Sequence, residues 1–387
     1  MNTAVAPFAS RAPSEQRYAM PAWIYSDPRL AALEHERIFR PSWQIVCHVN
    51  QIARAGDFVT LELGSDSVVV VRDKEGAIQA FHNVCRHRGA RMLDGSGKCA
   101  GAITCPYHGW TYRYDGALIG VPSKDSFADL DRGKHGLIPV RVDVFLGFVF
   151  VCIAGNPPKP ADVFGEMVEE FTPYRIGDMV ALGPITEEVW EVDWKLAIDN
   201  YLESYHVPIG HPGLARMFTP DYEDQRGIPG LARGISWIKD LPSSRWSERV
   251  YTKHITEIAT HLPDENRRSW RFYSMLPNLG IDLFPEQIDF FQVLPGGPGK
   301  TRVRGALFGL PDERRDMKLM RYLGTRINAL VNAEDRFLCE RVAQGLRSST
   351  YVPGPLSDLE RWMSEFHDLL RERIPETRLP SAPASFA

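Results

Sequence analysis

The chain has 387 residues, which is enough for two or three domains of ordinary size. Hydrophobic residues make up 44% and charged residues 24%, the balance of a soluble globular protein. The formal net charge is −4 and there is no long basic run, which argues against nucleic acid or an anionic membrane surface as a partner.

Neither export nor membrane insertion is indicated by the sequence. The stretch from Met1 to Tyr18 lacks the apolar core of a signal peptide. The longest apolar run, Val144 to Ala154, is too short to cross a bilayer and is typical of a buried strand. We therefore expect a soluble, cytoplasmic protein without a membrane partner.

The first half of the chain is predicted to be rich in strands. A polar tail leads into a helix around Leu30 to Phe39. Short strand patterns then run from Trp43 to Ile153, with hairpin turn signals at Asp73–Gly76 and Tyr114–Gly116. This texture predicts a small antiparallel barrel or sandwich.

The proline-rich stretch at residues 156–160 marks a domain boundary. Beyond it the sequence pattern changes from strands to mixed helix and strand. We predict a strand at Val189–Val192, a helix at Trp194–Tyr205, a strand pair at Ile281–Leu310 and a helix within Pro311–Leu346. Gly324 is a candidate interruption of that last helix, and the tail from Pro380 is predicted to be irregular.

The first chemical motif combines two cysteines with two histidines. It reads Cys85-x-His87, then seventeen residues, then Cys105-x-x-His108. Two thiolates and two imidazoles from two loops can hold a [2Fe–2S] cluster, with the cysteines on one iron and the histidines on the other. A structural Cys₂His₂ zinc site is the alternative. Zinc sites usually pair like with like, whereas each arm here carries one of each, which favours the cluster.

These residues resemble the signature of Rieske oxygenases. The two strings, residues 85–89 and 105–110, are similar to the cluster motifs of ring-hydroxylating oxygenases and their relatives. Rieske proteins of respiratory complexes carry a further cysteine in each loop, where this chain has Ala90 and Tyr107. The resemblance is therefore to the oxygenase or ferredoxin branch and implies a [2Fe–2S] cofactor.

The second motif is Glu203-x-x-His206-x₄-His211. Two imidazoles and one carboxylate on one face of Fe(II) leave positions open for O₂ and substrate. Five residues of regular helix would splay the histidines by about 140°. A helix here must therefore break or widen between them, which Pro208 and Gly210 permit. Two histidines in a loop are otherwise ordinary structural residues. The string also resembles the mononuclear-iron motif of the same oxygenases.

The resemblance implies roles for further residues. It places the third iron ligand at Asp335, with Glu334 as the runner-up and a solvated helix face as the plain alternative. It implies that Glu203 binds no iron but bridges His108 of a neighbouring subunit to His206, which implies a ring, in this family a trimer. The alternative is that Glu203 only orients His206 within its own chain. The adjoining Asp199 and Asn200 are predicted to contact the iron ligands and hold them in position without binding the metal. No residue is assigned to substrate binding from the sequence.

Element pattern and resemblance together predict an α+β fold. A small all-β Rieske domain, residues 43–155, is inserted in an α+β catalytic domain, residues 156–387, whose antiparallel sheet is flanked by helices. Residues 1–42 are predicted to pack on the catalytic domain. The chain has no G-x-G-x-x-G fingerprint. Electrons from NAD(P)H are therefore expected through a separate reductase, with or without a ferredoxin.

The substrate is predicted to be a small organic molecule. The segments around residues 199–206 and 334–341 resemble Rieske monooxygenases that remove N-alkyl groups from carnitine, betaines and related amines or amides. An aromatic cage would suit a quaternary ammonium group. The candidates for it are Trp237, Trp246, Trp270, Phe272, Tyr273, Phe290 and Phe291. One alternative is an aromatic-ring dioxygenase with a beta subunit, and the other is a Rieske electron carrier without catalysis of its own.

Overall fold

The computed structural model describes residues 16–220, 223–228 and 230–386. It divides into two compact units. The smaller comprises Phe39–Pro160, and the larger joins the segment ending at Ile38 to the chain from Ala161 onward. Within the described residues, no helix is both long enough and apolar enough to span a membrane.

The smaller unit is built from short antiparallel strands, as predicted. They form three sheets with the orders β4-β3-β2-β5, β1-β10-β9 and β6-β7-β8, in which the strands are β1 (Gln44–His48), β2 (Asp57–Leu63), β3 (Asp66–Arg72), β4 (Ile78–His82), β5 (Ser96–Lys98), β6 (Ile103–Thr104), β7 (Thr111–Tyr112), β8 (Leu118–Gly120), β9 (Arg141–Phe145) and β10 (Phe148–Cys152). Single 3₁₀ turns lie at Val49–Ile52, Lys124–Ser126 and Arg132–Lys134.

Local sequence explains the hairpins of this unit. Asp73 turns the chain between β3 and β4 because its carboxylate accepts the backbone N–H groups of Glu75 and Ala77. The apolar run from Val144 is a different case, and its prediction as one buried strand is wrong. Leu146 and Gly147 both have positive φ, at 51° and 77°, so the run folds into the β9–β10 hairpin.

The larger unit is centred on one antiparallel sheet. Its order is β11-β18-β17-β16-β15-β14-β13, and β12 also pairs with β18. The strands are β11 (Val180–Ala181), β12 (Thr186–Trp190), β13 (Glu223–Ile228), β14 (Leu231–Trp237), β15 (Ser269–Met275), β16 (Leu279–Leu283), β17 (Ile288–Pro295) and β18 (Thr301–Gly309). This arrangement confirms the predicted α+β class.

Helices accompany this sheet along the chain. They are α1 (Leu30–Glu34), continued by a π-helical turn at His35–Phe39, then α2 (Pro160–Phe164), α3 (Val168–Phe171), α4 (Trp194–Tyr201), α5 (Val207–Gly210), α6 (Pro212–Met217), α7 (Trp246–Ile258), α8 (Asp264–Arg267), α9 (Arg315–Gly345) and α10 (Arg361–Arg373). Single 3₁₀ turns lie at Ala22–Tyr25, Gly165–Met167, Thr172–Tyr174, Ile176–Asp178, Asp358–Glu360 and Pro375–Arg378.

Three predicted elements differ in extent. The helix expected over residues 194–205 ends at Tyr201, and the strand expected at 189–192 ends at Trp190. The strand pair expected over 281–310 is the β17–β18 hairpin, because Ile281 belongs to the preceding strand β16. Helix α9 runs through Gly324 without a break. A Cβ at that position would overlap the Glu286 carboxylate, so the glycine provides close packing and not an interruption.

The N-terminal segment is tied to helix α4 by buried polar contacts. The Lys195 ammonium pairs with the Glu34 carboxylate, which also accepts the Trp194 indole N–H at 2.8 Å. Tyr25 donates its hydroxyl proton to Asp199 at 2.6 Å. A buried, hydrogen-bonded ion pair that loses one partner costs several kcal/mol, so these contacts hold α4 in place.

Glu286 predicts a pH dependence of stability. Burial raises its pKa to about 8, although the Tyr251 hydroxyl donates to it at 2.7 Å and opposes the rise. The folded chain keeps a proton that the unfolded chain releases above its ordinary pKa of about 4.5, so this group lowers the free energy of unfolding as pH rises from there to about 8. Glu286→Gln should remove this loss, on the order of a few kcal/mol. Urea unfolding of both proteins at about pH 5 and about pH 8 measures it.

The exposed Glu313 provides the control for that experiment. It pairs with Lys318 at the surface. Glu313→Gln should keep the wild-type difference in stability between the two pH values. If wild type and Glu286→Gln lose the same stability on going to high pH, the protonated state of Glu286 is contradicted.

Candidate active site and cluster site

Two loops of the smaller unit repeat one backbone arrangement. In the first, the Cys85 N–H donates to the Ala90 carbonyl at 2.8 Å, and the Gly89 N–H donates to the Cys85 carbonyl at 3.1 Å. The second loop repeats both bonds at Cys105, with distances of 2.8 and 3.0 Å. Gly89 and its counterpart Gly109 have φ of 73° and 70°, which other residues adopt at a cost. The Cys-to-Gly spacing common to both motifs thus produces two matching turns.

The four residues predicted to hold the cluster lie together on these turns. The Nδ1 atoms of His87 and His108 are 3.2 Å apart. Cys85 and Cys105 are buried in the same core cluster, and burial, reinforced by the Cys85 thiol, raises the pKa of Cys105. The Trp110 ring stacks on His87 with centroids 4.9 Å apart. The turns therefore present an imidazole pair and a thiol pair, the donor set that a Rieske cluster requires.

Tyr112 is a further residue of this site that sequence reasoning did not single out. Its hydroxyl accepts the Arg86 backbone N–H at 3.0 Å and lies 3.4 Å from Cys85 Sγ. Because the hydroxyl oxygen is occupied as an acceptor, its proton is free to point at the sulfur. A hydrogen bond to a cluster thiolate is one of the means by which proteins adjust the reduction potential of the cluster.

The second site forms where helix α4 ends. The chain bends through Glu203 to His206, makes the single turn α5, and starts α6 after His211. The helix was predicted to break or widen between His206 and His211, and regular helix is interrupted on both sides of the single turn α5. Gly210 is required inside that turn, since a Cβ there would be 2.8 Å from Leu338 and 3.2 Å from the His206 ring.

Three ligand-type atoms meet at this point. His206 Nε2 lies 3.1 Å from His211 Nε2, and Asp335 Oδ1 lies 3.5 and 3.0 Å from those two atoms. Asp335 comes from α9, far along the chain, and the three atoms all lie within 4.8 Å of one another. Atoms about 2.1 Å from a metal and at right angles to one another are about 3 Å apart. The residues therefore fit one face of an octahedral ion.

Two glutamates hold the opposite edges of the histidine rings. Glu203 accepts the His206 backbone N–H at 3.0 Å and contacts the His206 Nδ1 with its other oxygen. Glu334, the runner-up ligand, instead lies 2.9 Å from His211 Nδ1. Each ring thus has Nδ1 against a carboxylate and Nε2 directed at the common centre. Carboxylates in this position fix the tautomer and orientation of metal-bound histidines.

The electrostatics of the site favour a cation. Burial lowers the pKa of His206, but hydrogen bonds and charge from Asp335 and Glu203 outweigh burial and raise the pKa to about 9. Burial likewise raises the pKa of Asp335, but the two imidazoles outweigh it and lower the pKa below its usual range. Excess negative charge therefore surrounds the Nε2 atoms.

The residues before Glu203 have separate surroundings. The Asn200 side-chain nitrogen lies 3.5 Å from His206 Nε2, on the side of the common centre. Asp199 contacts Tyr25 and the ring of His367, the latter at 2.9 Å, and neither candidate iron histidine. Asp199 therefore joins α4 to Tyr25 and His367, whereas Asn200 lies directly beside the candidate iron site.

Glu334 gives a testable consequence. Glu334→Gln keeps the size of the side chain but removes the charge held against His211 Nδ1. We expect iron affinity to fall roughly 10-fold, within the range for residues that orient metal ligands. Iron titration of metal-depleted protein, followed by iron analysis, measures the change. Glu340→Gln, which removes a carboxylate that pairs with Arg336 on the same helix, is the control. Equal affinities in both variants would contradict the orienting role.

Comparisons with known proteins match both parts of the chain. Residues 42–139 match the Rieske [2Fe–2S] domain, and residues 186–376 match the catalytic domain of ring-hydroxylating alpha subunits. The glycine betaine monooxygenase oxygenase subunit of Pseudomonas aeruginosa is 36% identical over 93% of this chain and 90% of its own length. Its counterpart from Chromohalobacter salexigens is 31% identical over 88% of this chain and 82% of its own length.

A solved structure of a quaternary ammonium Rieske monooxygenase shares the fold. It has a TM-score of 0.79 and 23% identity, and the match covers 92% of this chain and 96% of that one. The family and sequence matches define an oxygenase component that contains a Rieske cluster and a mononuclear iron and uses O₂. The chain belongs to the Rieske non-haem iron oxygenases, as the oxygenase (alpha) subunit of a multicomponent system that a separate reductase serves.

Proposed function

We propose that this oxygenase N-demethylates a small quaternary ammonium compound. The observation that carries the proposal is the convergence of His206, His211 and Asp335 on one centre, since three ligands on one face leave the other face for O₂ and substrate. The substrate class is supported by the glycine betaine monooxygenase relatives, which align along nearly the whole chain.

Seven residues would hold the two metal centres. We assign the [2Fe–2S] cluster to Cys85, His87, Cys105 and His108, and the mononuclear iron to His206, His211 and Asp335. When bound, the cluster supplies electrons and the iron activates O₂ for attack on a carbon–hydrogen bond. Zinc at the first site would explain the donor set but would not serve an oxygenase, because zinc has no redox chemistry.

Glu203 is proposed to link the two kinds of centre between subunits. The cluster face carries Tyr107, which is 57% exposed beside His108, and the iron face carries Tyr205 and Ile209, which are 61% and 87% exposed on either side of His206. Large exposed apolar side chains are typical of surfaces that a second protein covers. We infer that a second copy of the chain covers them, so that the partner subunit's His108 approaches Glu203. Repetition of this head-to-tail contact closes a ring, for which we propose a trimer.

An apolar core cluster includes residues next to the candidate iron ligands, and we propose that substrate binds at its edge. Val207 lies next to His206, and Leu214 follows His211 on α6, while Val331 precedes Asp335 by one turn of α9. All three belong to a cluster with Phe218, Tyr251, Trp270, Phe272 and Phe284. Trp270 and Phe272 are the members of the predicted aromatic set that belong to this cluster. The face of such rings attracts a quaternary ammonium group.

Trp237 ends strand β14, and the four other predicted aromatic residues have different surroundings. Trp246 is 60% exposed on α7, and Tyr273 is engaged with the carboxylate of Glu170. Phe290 stacks on Phe308, and Phe291 packs edge-on against Tyr201. Selectivity is therefore proposed to depend on Trp270 and Phe272 rather than on the whole set.

Single turnover tests the proposed reaction. Hydroxylation of an N-methyl carbon consumes O₂, two electrons and two protons, releases water, and gives an N-hydroxymethyl ammonium ion that collapses to the tertiary amine, formaldehyde and a proton. The chemically reduced holoenzyme is mixed with O₂ and one compound from a panel of glycine betaine, choline, carnitine, tertiary N-methyl amines and simple arenes. Formaldehyde that depends on one quaternary ammonium compound is the expected result. A cis-diol from an arene, without formaldehyde, would replace this proposal with ring dihydroxylation.

Partners follow from the same proposal. The reductase takes electrons from NAD(P)H, and a ferredoxin is required only if the reductase alone fails to reduce the cluster. Assembly as a trimer without a beta subunit is proposed, and the mass of the purified complex decides it. The cytoplasmic location stays a prediction of the sequence.

A further inference from the structure

Two aspartates face each other beneath the candidate iron site. Asp282 of β16 and Asp289 of β17 are directly paired across the antiparallel ladder. Side chains at paired positions emerge on the same face of the sheet with Cβ atoms about 5 Å apart. Asp282 is 7% exposed. The sheet therefore places the buried Asp282 carboxyl group against that of the half-buried Asp289.

Each carboxyl group is bound to a helix next to the candidate iron site: α4, which ends just before the segment of His206, and α9, which carries Asp335. Tyr201, the last residue of α4, donates its hydroxyl proton to Asp282 Oδ1 at 2.6 Å. Asn328 on α9 donates to Asp289 Oδ2 at 3.0 Å. Asn328 precedes Asp335 by seven residues, two turns on the same side of the helix. The pair is thus fastened to both segments that build the site.

The charges of the pair are not balanced by cations. Among the described residues, neither aspartate forms an ion pair with lysine, arginine or histidine, and no donor reaches the buried Asp289 Oδ1. Two buried carboxylates in contact repel each other, and the desolvation cost adds to the repulsion. One proton between them removes the repulsion and provides the missing donor.

Burial and neighbouring negative charges raise the pKa of both aspartates. Burial raises the pKa of Asp282 to about 7, and the charge on Asp335 adds to the rise against the hydrogen bond from Tyr201. Burial also raises the pKa of Asp289 well above its usual range, and the charges of Asp282 and Glu286 add to the rise against hydrogen bonds from Asn328 and from the Asp282 backbone. A carboxyl pair whose pKa values are raised by burial can hold a shared proton and release it when a partner takes it up.

We propose that Asp282 and Asp289 share one proton and act as a proton reservoir for the oxygen chemistry, with Tyr201 as the hydroxyl that connects the pair to α4. The inference rests on the proposed function, because hydroxylation of one carbon consumes two protons. The pair donates one of them and recovers it from solvent, and it donates no electrons, which come from the reductase.

Infrared spectroscopy of the purified holoenzyme tests the shared proton. A protonated carboxyl group has a carbonyl stretch that is separate from the carboxylate bands and shifts in D₂O. We expect such a band in the wild-type protein and its loss in Asp282→Asn and in Asp289→Asn. Asparagine at either position offers a permanent N–H donor to the remaining carboxylate, so the fold is retained. Glu286→Gln is the matched control and should remove a different band. If neither aspartate variant loses a band, the shared proton is disproved.

Single turnover tests the reservoir. In iron-loaded Asp282→Asn, product formation after O₂ addition should slow roughly 100-fold, the scale of a lost proton donor, with a larger solvent isotope effect than in wild type. Wild-type rate and isotope effect in that variant would overturn the reservoir. Should wild type itself release no formaldehyde, the demethylation proposal fails, whereas the infrared result still decides whether the proton is shared.

Discussion

His206→Ala is expected to abolish turnover and to lower the iron content from three atoms per chain to two. The His206 Nε2 atom is one of three that define the candidate centre, at 3.1 Å from His211 Nε2. Two remaining ligands do not hold Fe(II) on one face, so the single iron is lost. The cluster should survive, because its four candidate ligands belong to a separate compact unit.

The measurement combines iron and sulfide analysis with the absorption of the cluster and with product formation in single turnover. His254→Ala is the matched control, since His254 is a half-exposed histidine of α7 whose recorded ion pair is with Glu257 on the same helix. It should keep three iron atoms and normal turnover. If His206→Ala retains turnover with an intact cluster, the assignment of catalysis to this iron centre is wrong.

The sequence predicted the site more completely than the extents of the elements. The two motifs identify their residues by short spacings, and the matching turns at Cys85 and Cys105 follow from glycine four positions after each cysteine. Helix α4 was predicted too long because apolar periodicity continues through Leu202, whereas the chain bends at Glu203 to place His206. Local patterns do not report where tertiary contacts end a helix.

Contacts between residues that lie far apart in the chain could not be predicted from the sequence. Tyr112 reaches Cys85 only because β7 lies beside the first loop, and Asp282 faces Asp289 only in the register of β16 with β17. The contact of Glu334 with His211 could not be predicted either, because it depends on the direction in which each side chain leaves helix α9. Adjacent residues on α9 point about 100° apart, so Asp335 meets the Nε2 atoms while Glu334 meets His211 Nδ1.

Glu203→Gln is expected to leave both metal centres bound and to slow electron transfer between them. In the proposed trimer, Glu203 accepts a hydrogen bond from His206 within its chain and one from the partner subunit's His108. Glutamine carries one acceptor oxygen in place of two, and its amide would oppose one of the two N–H donors. Oxidation of the cluster after O₂ is added to fully reduced enzyme with substrate should therefore slow roughly 10- to 100-fold.

The Glu334→Gln variant tests whether Glu203 takes part in electron transfer between subunits or only orients His206. It makes the same chemical change at His211, where the residue is held 2.9 Å from the ring, but lies off the proposed route. Both variants are compared after loading with equal iron, so that a difference in affinity does not enter. Cluster oxidation should be slow in Glu203→Gln and near wild type in Glu334→Gln. Equal rates in the two variants would mean that Glu203 only orients His206 and that electrons reach the iron by another path.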